Sequence, residues 1–174
     1  LGLTTLPRIA GFTFLLPYFE EAVRYSQYNQ TKDWFDPVNT PLTNQRIAIL
    51  QCPSVASPER LDGRPEQNPW TNNVGAPTDY SPTIFVDSRL KTANLVDVAV
   101  NPANGFPPTK SDPGLGILAY NLNVKLKDIT DGTSKTIMYA ESAGRPALFR
   151  RGAEIGGFPD GTARVNGGGW CRPA

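Results

Sequence analysis

The segment Asp128-Ile129-Thr130-Asp131-Gly132-Thr133-Ser134-Lys135-Thr136 gathers hard oxygen donors in a short span. Asp128, Asp131, Thr133 and Ser134 cluster there, and Glu141 follows where a strand could carry it back. Calcium is held by about 6–8 such oxygens in flexible geometry, so these five residues are the candidate cation ligands. A tight turn explains the same residues more simply. Asp131 and Ser134 would bond neighbouring backbone amides, and Gly132 would supply a positive φ. The spacing fits no EF-hand loop, and the Gly132 to Thr136 stretch lacks the G-x4-G-K-S/T spacing of a phosphate loop.

Other chemistry is thinly supplied. Glu141 opposite Asp128 or Asp131 could act on a glycosidic bond if a cleft separated the two carboxylates. Glu20 and Glu21 are adjacent on one element and point apart. The chain has no histidine, which removes the usual general base near neutral pH, the Ser-His-Asp and Cys-His nucleophile systems and histidine zinc sites. The expectation is a protein that is not an enzyme and needs no cofactor, calcium being the one ion with a plausible donor set. Trp34, Trp70 and Trp170 fall in loop-like stretches, where tryptophan either stacks on sugars or pins a loop to the core. Asn29-Gln30-Thr31 fits the glycosylation sequon. Cys52 and Cys171 allow one pairing, worth a few kcal/mol in an oxidising compartment; alternatively they are unrelated thiols. A net charge of +1 calls for neither nucleic acid nor an anionic membrane. Arg150-Arg151 reads as a solvated turn.

The elements that must position these residues are short. With 16 Gly and 17 Pro scattered through 174 residues, the composition is that of a β-rich fold with long ordered loops. Pro17 suits the first position of a helix, and Glu20 and Glu21 suit its positive end. The expectation is a helix over 17–28 whose apolar face is Phe19, Ala22, Val23 and Ser26. Residues 43–51 read as a short helix or a buried extended run ended by Pro53. Residues 54–77 read as a surface loop, 80–86 as a strand, 87–116 as ambiguous, 116–126 as an alternating strand, and 136–141 as a second β run after the Asp131-Gly132 turn. No run of about 18 apolar residues is present to cross a membrane.

Three motifs occur in order: Leu15-Leu16-Pro17-Tyr18-Phe19-Glu20, then Leu50-Gln51-Cys52-Pro53-Ser54, then Asp128-Ile129-Thr130-Asp131-Gly132-Thr133-Ser134-Lys135-Thr136-Ile137 running on to Glu141. Ala140-Glu141-Ser142-Ala143-Gly144-Arg145-Pro146 and Gly167-Gly168-Gly169-Trp170 continue the series. The ordered set resembles a large bacterial family catalogued as a domain of unknown function, number 1559, whose members look like prepilins and are in part labelled solute-binding. Lys135 stands where that family tends to have Asn; with no histidine in these residues, the family's histidine-containing C-terminal motif is absent or lies beyond residue 174, and residues 1–174 hold no long hydrophobic helix of the family's N-terminal kind.

The resemblance implies an α+β, pilin-like head over 1–174, with a short helix packed on an antiparallel β-sheet and long Gly/Pro-rich loops. It implies an extracytoplasmic protein at the cell surface or in an extracellular filament or secretion apparatus. Its partners would be copies of itself or related pilin-like subunits, and it would meet the membrane only through the missing N-terminal helix. Starting at Leu1, the sequence reads as an internal piece of a longer precursor. An extracytoplasmic module that binds sugars or peptides is the alternative, for which two of the three tryptophans should line a concave pocket. A carboxylate hydrolase is the second, for which two acids should face each other across a cleft.

Overall fold

A computed structural model describes residues 6–64, 71–97, 114–119, 121–130, 132–155 and 168–173. Short helices and three two-stranded sheets make up the regular structure of these residues, a mixed α+β protein held largely by loops. The chain divides into two compact units. The first comprises residues 1–80 and 141–173, and the second is built from residues 81–140.

In the first unit the expected helix over 17–28 is broken. Helix α1 spans Gly11–Leu15 and tightens into a 3-10 turn over Leu16–Phe19, with Pro17 in its first turn where a missing N–H costs nothing. Glu20 then takes a left-handed φ of 65°. The Glu21 amide reaches back to the Leu16 carbonyl at 3.0 Å, the hydrogen bond that closes a helix C-terminus. Helix α2 restarts at Ala22–Gln27. The interruption resets the helical phase. Val23, expected on the apolar face, is 72% exposed, whereas Leu16 is fully buried and Phe19 and Tyr25 pack against the core.

The loop that follows is ordered by Asn39. Its side-chain carbonyl accepts from the Asn29 amide at 2.9 Å, and its Nδ2 donates to the carbonyls of Asn29 at 3.0 Å and Asp33 at 3.1 Å. This buried amide satisfies backbone groups that a loop beneath the surface would otherwise leave without partners, and it holds Trp34 in the interior. Helix α3, Thr40–Thr43, and a 3-10 turn, Ala48–Leu50, resolve the ambiguous 43–51 stretch in favour of short helical turns.

Strands β1, Asp62–Arg64, and β2, Thr71–Gly75, pair antiparallel within the stretch expected to be loop. Phe12, Leu16, Trp34, Ile47, Leu50, Ala76, Trp170 and Cys171 form the core, all in the first unit. A two-residue hairpin joins β5, Phe149–Arg150, to β6, Ala153–Glu154. Arg151 and Gly152 both have positive φ there, 53° and 81°, the turn whose twist matches the flanking strands.

The two crossings of the chain between units lie in a third sheet, where β3, Tyr80–Pro82, pairs with β4, Tyr139–Glu141. In the second unit Phe85 and Leu115 form an isolated bridge, and α4, Ser88–Thr92, is capped by Asp87, whose Oδ1 accepts the Arg89 amide at 2.8 Å. The Gly116 backbone approaches Thr83 so closely that a Cβ there would lie 2.2 Å from the Thr83 carbonyl oxygen. Among the described residues of 116–126, the expected strand does not form. Turns at 117–118 follow the bridge, and Asn121 adopts a left-handed φ of 58° that an extended run cannot contain. The expected 136–141 strand is confined to Tyr139–Glu141.

Candidate functional site

Two of the sequence motifs, 50–54 and 140–146, converge on a residue that neither contains. Asp79 precedes β3, and its side chain is fully buried. Its Oδ2 accepts the amide of Cys52 at 2.8 Å, and its Oδ1 accepts the amide of Gly144 at 3.0 Å and the Arg60 guanidinium. Its backbone takes part as well: the amide donates to the Leu50 carbonyl at 2.9 Å, and the carbonyl accepts from Ser142 at 2.7 Å. Arg60, equally enclosed, also donates to the carbonyls of Arg145 at 2.6 Å and Ser57 at 3.1 Å. Ionised carboxylates make stronger hydrogen bonds to backbone amides than neutral acceptors do. This single charge therefore ties the Cys52-Pro53-Ser54 turn to the Ser142–Arg145 segment.

A second buried carboxylate repeats the device for the Gly-rich C-terminal motif. Asp62 Oδ1 accepts the amide of Gly63 at 2.7 Å and Oδ2 that of Gly169 at 3.1 Å, with the Arg172 guanidinium 3.9 Å away. The Trp170 amide donates to Ala76 at 3.0 Å, and its indole N–H donates to the Gln45 carbonyl at 3.0 Å. The Arg24 guanidinium lies over the Trp170 ring, 5.8 Å from its centroid, and also donates to Gln45 at 2.9 Å. Asp62 and Asp79 are thus turned inward onto backbone amides and arginines, and their role is to position loops.

The residues expected to do chemistry are dispersed. Asp128 caps its own 3-10 turn, accepting the Lys125 amide at 3.0 Å. Gly132 has φ 96°, as the turn reading requires, and Thr133 and Ser134 are exposed in the 3-10 turn Thr133–Lys135. Asp131 lies outside the described residues. Glu141 is exposed on β4, where its charge raises the pKa of the neighbouring Tyr80 phenol. Among the described residues no three His, Cys, Asp or Glu side chains gather to hold a metal ion. Asn29 accepts the Thr31 amide at 3.0 Å and its hydroxyl at 2.7 Å, so the sequon forms a closed Asx turn.

The two cysteines do not form the bridge that the sequence left open: both are free thiols. Cys171 is fully buried beside Gly75, Gly169 and Trp34, and burial pushes its thiol well above the ordinary range. Cys52 is half-buried with its amide committed to Asp79. Trp34 and Trp170 also pack in the core and present no stacking surface; Trp70 lies outside the described residues.

The fold and its buried carboxylates define a small mixed α+β protein whose motif residues build the scaffold. The chain belongs to the family described as a protein of unknown function (DUF1559), whose model matches residues 4–172 and also carries a solute-binding-like label. No curated protein and no solved structure matches the chain.

Proposed function

We propose that the protein is an exported, non-enzymatic structural subunit of the prepilin-like kind, and that its described residues belong to a pilin-like head. Membership of the family over residues 4–172 is the observation that carries this reading. The first elements support it: Tyr18 and Val23 are 81% and 72% exposed, while Leu16 between α1 and α2 anchors the same segment in the core. Exposed apolar side chains on a firmly anchored segment suit contact with another subunit. In this reading the protein stands outside the cytoplasm, and its partners are copies of itself or related subunits.

The test is expression of the full-length precursor in its host, with Tyr18→Cys in a Cys52→Ser background. Cross-linked ladders in a surface or filament fraction are expected. A monomer in the periplasm whose melting temperature rises saturably with sugars or short peptides would replace this reading with a ligand-binding one. Catalytic turnover of a glycoside would overturn both.

A further inference from the structure

We infer that residues 81–140 open as a separate cooperative unit while the Asp79 clamp keeps the remainder of the chain folded. Cooperative units differ in stability according to the apolar contacts and protected hydrogen bonds each contains. The core cluster belongs wholly to residues 1–80 and 141–173. Among the described residues of 81–140, Ala119 is the only buried hydrophobic one, and Leu95, Leu126 and Ile137 are 70%, 71% and 68% exposed. The amides of Thr83, Val86, Gly116 and Leu118 are hydrogen-bonded to carbonyls of the same unit, but on partly exposed backbone.

The crossing points make separate opening feasible. Asp79 stands one residue before β3 and Ser142 one residue after β4. They are joined by the Ser142 amide to Asp79 carbonyl bond at 2.7 Å, and the Gly144 amide reaches the Asp79 carboxylate at 3.0 Å. All of these groups lie in the first unit. The stem is therefore closed without help from residues 81–140, as in an inserted segment whose ends lie side by side. Opening that segment leaves the core and both buried carboxylates in place.

Native-state hydrogen exchange on the intact chain tests this. Thr83, Val86, Gly116 and Leu118 should exchange at least about tenfold faster than Ala76, Asp79, Ser142, Gly144 and Trp170, with a weaker dependence on denaturant. Convergence of the two sets on one rate and one denaturant dependence would overturn the inference. Limited proteolysis gives a second reading. A chain nicked within 81–140 should keep the blue-shifted emission of Trp34 and Trp170, and a red shift to the unfolded value would contradict separate opening. In Asp79→Asn, exchange should accelerate in the second set and stay nearly constant in the first. Equal acceleration would also count against it. If this variant does not fold, the wild-type exchange and the nicking experiment decide.

Discussion

Arg60 and Asp79 form an ion pair in the protein interior, with 4% of the arginine side chain and 0% of the aspartate exposed. Burying two charges is costly unless each finds additional partners. Here both do: Asp79 takes two backbone amides, and Arg60 takes two backbone carbonyls. Removing one partner strands the other. Arg60→Ala is expected to cost about 3–5 kcal/mol, because the carboxylate stays buried without its counter-charge. The double variant Arg60→Met, Asp79→Leu should not recover wild-type stability, since the Cys52 and Gly144 amides then lose their acceptor. Urea unfolding of the three proteins checks this, and full recovery in the double variant would show that the amide bonds contribute little.

The free thiols differ in accessibility. Cys52 is half-buried and Cys171 fully buried. A thiol reagent should modify one cysteine in the native protein and both after denaturation, with or without prior reduction. Recovery of no reactive thiol from the unreduced, denatured protein would mean that the two are bridged.

Alkaline stability follows from two buried acids. Burial is the main cause that raises the pKa of the Cys171 thiol above its ordinary 9.0 and that of the Tyr28 phenol above its ordinary 10.0. Above pH 9 the unfolded chain sheds these protons first, so it binds fewer protons than the native state and stability falls as pH rises. The contribution is fully present below that pH and is lost as pH climbs towards the folded values. Melting temperatures between pH 8 and pH 11 should decline, and Cys171→Ala should flatten the first part of the decline. An unchanged slope in that variant would remove Cys171 from the account.

Two glycines make opposite predictions. A Cβ on Gly116 would meet the Thr83 carbonyl oxygen at 2.2 Å and its carbon at 2.6 Å, both backbone atoms. Gly116→Ala should therefore destabilise by about 1–3 kcal/mol or more, as overpacking does. Gly11, in α1, has nothing within 4 Å of the same position, so Gly11→Ala should stabilise by about 0.5–1 kcal/mol. Thermal melts of the pair rank them directly.

The β5–β6 hairpin carries a correctable cost. Arg151 holds a left-handed φ of 53°, which an ordinary side chain resists by about 1–2 kcal/mol. Arg151→Asn suits the same turn position and should raise stability by about 0.5–1 kcal/mol. A fall in melting temperature would mean that the arginine side chain stabilises the turn in another way.

Local features were legible where the cause is local. Pro17 at the start of a turn, the positive φ of Gly132 and short strands within 80–86 and 136–141 follow from residue type and neighbours. The β1–β2 pair was not legible, because 54–77 reads as polar and Pro-rich while its strands are stabilised by packing of Val74 and Leu61 on the core. The break at Glu20 has a related cause: glutamate carries no signal for a left-handed backbone, and the burial of Leu16 and Phe12 sets the angle.

By itself the sequence determined the composition of the protein, its lack of histidine and the ordered motifs that place it in its family. Tertiary structure alone decided what those motifs are for. Asp79 takes its partners 27, 19 and 65 positions away, at Cys52, Arg60 and Gly144. No periodicity or spacing rule reaches that far. A carboxylate's role is set by the charges and amides that folding brings around it, and for Asp79 the fold supplies a sealed set of backbone donors and one arginine.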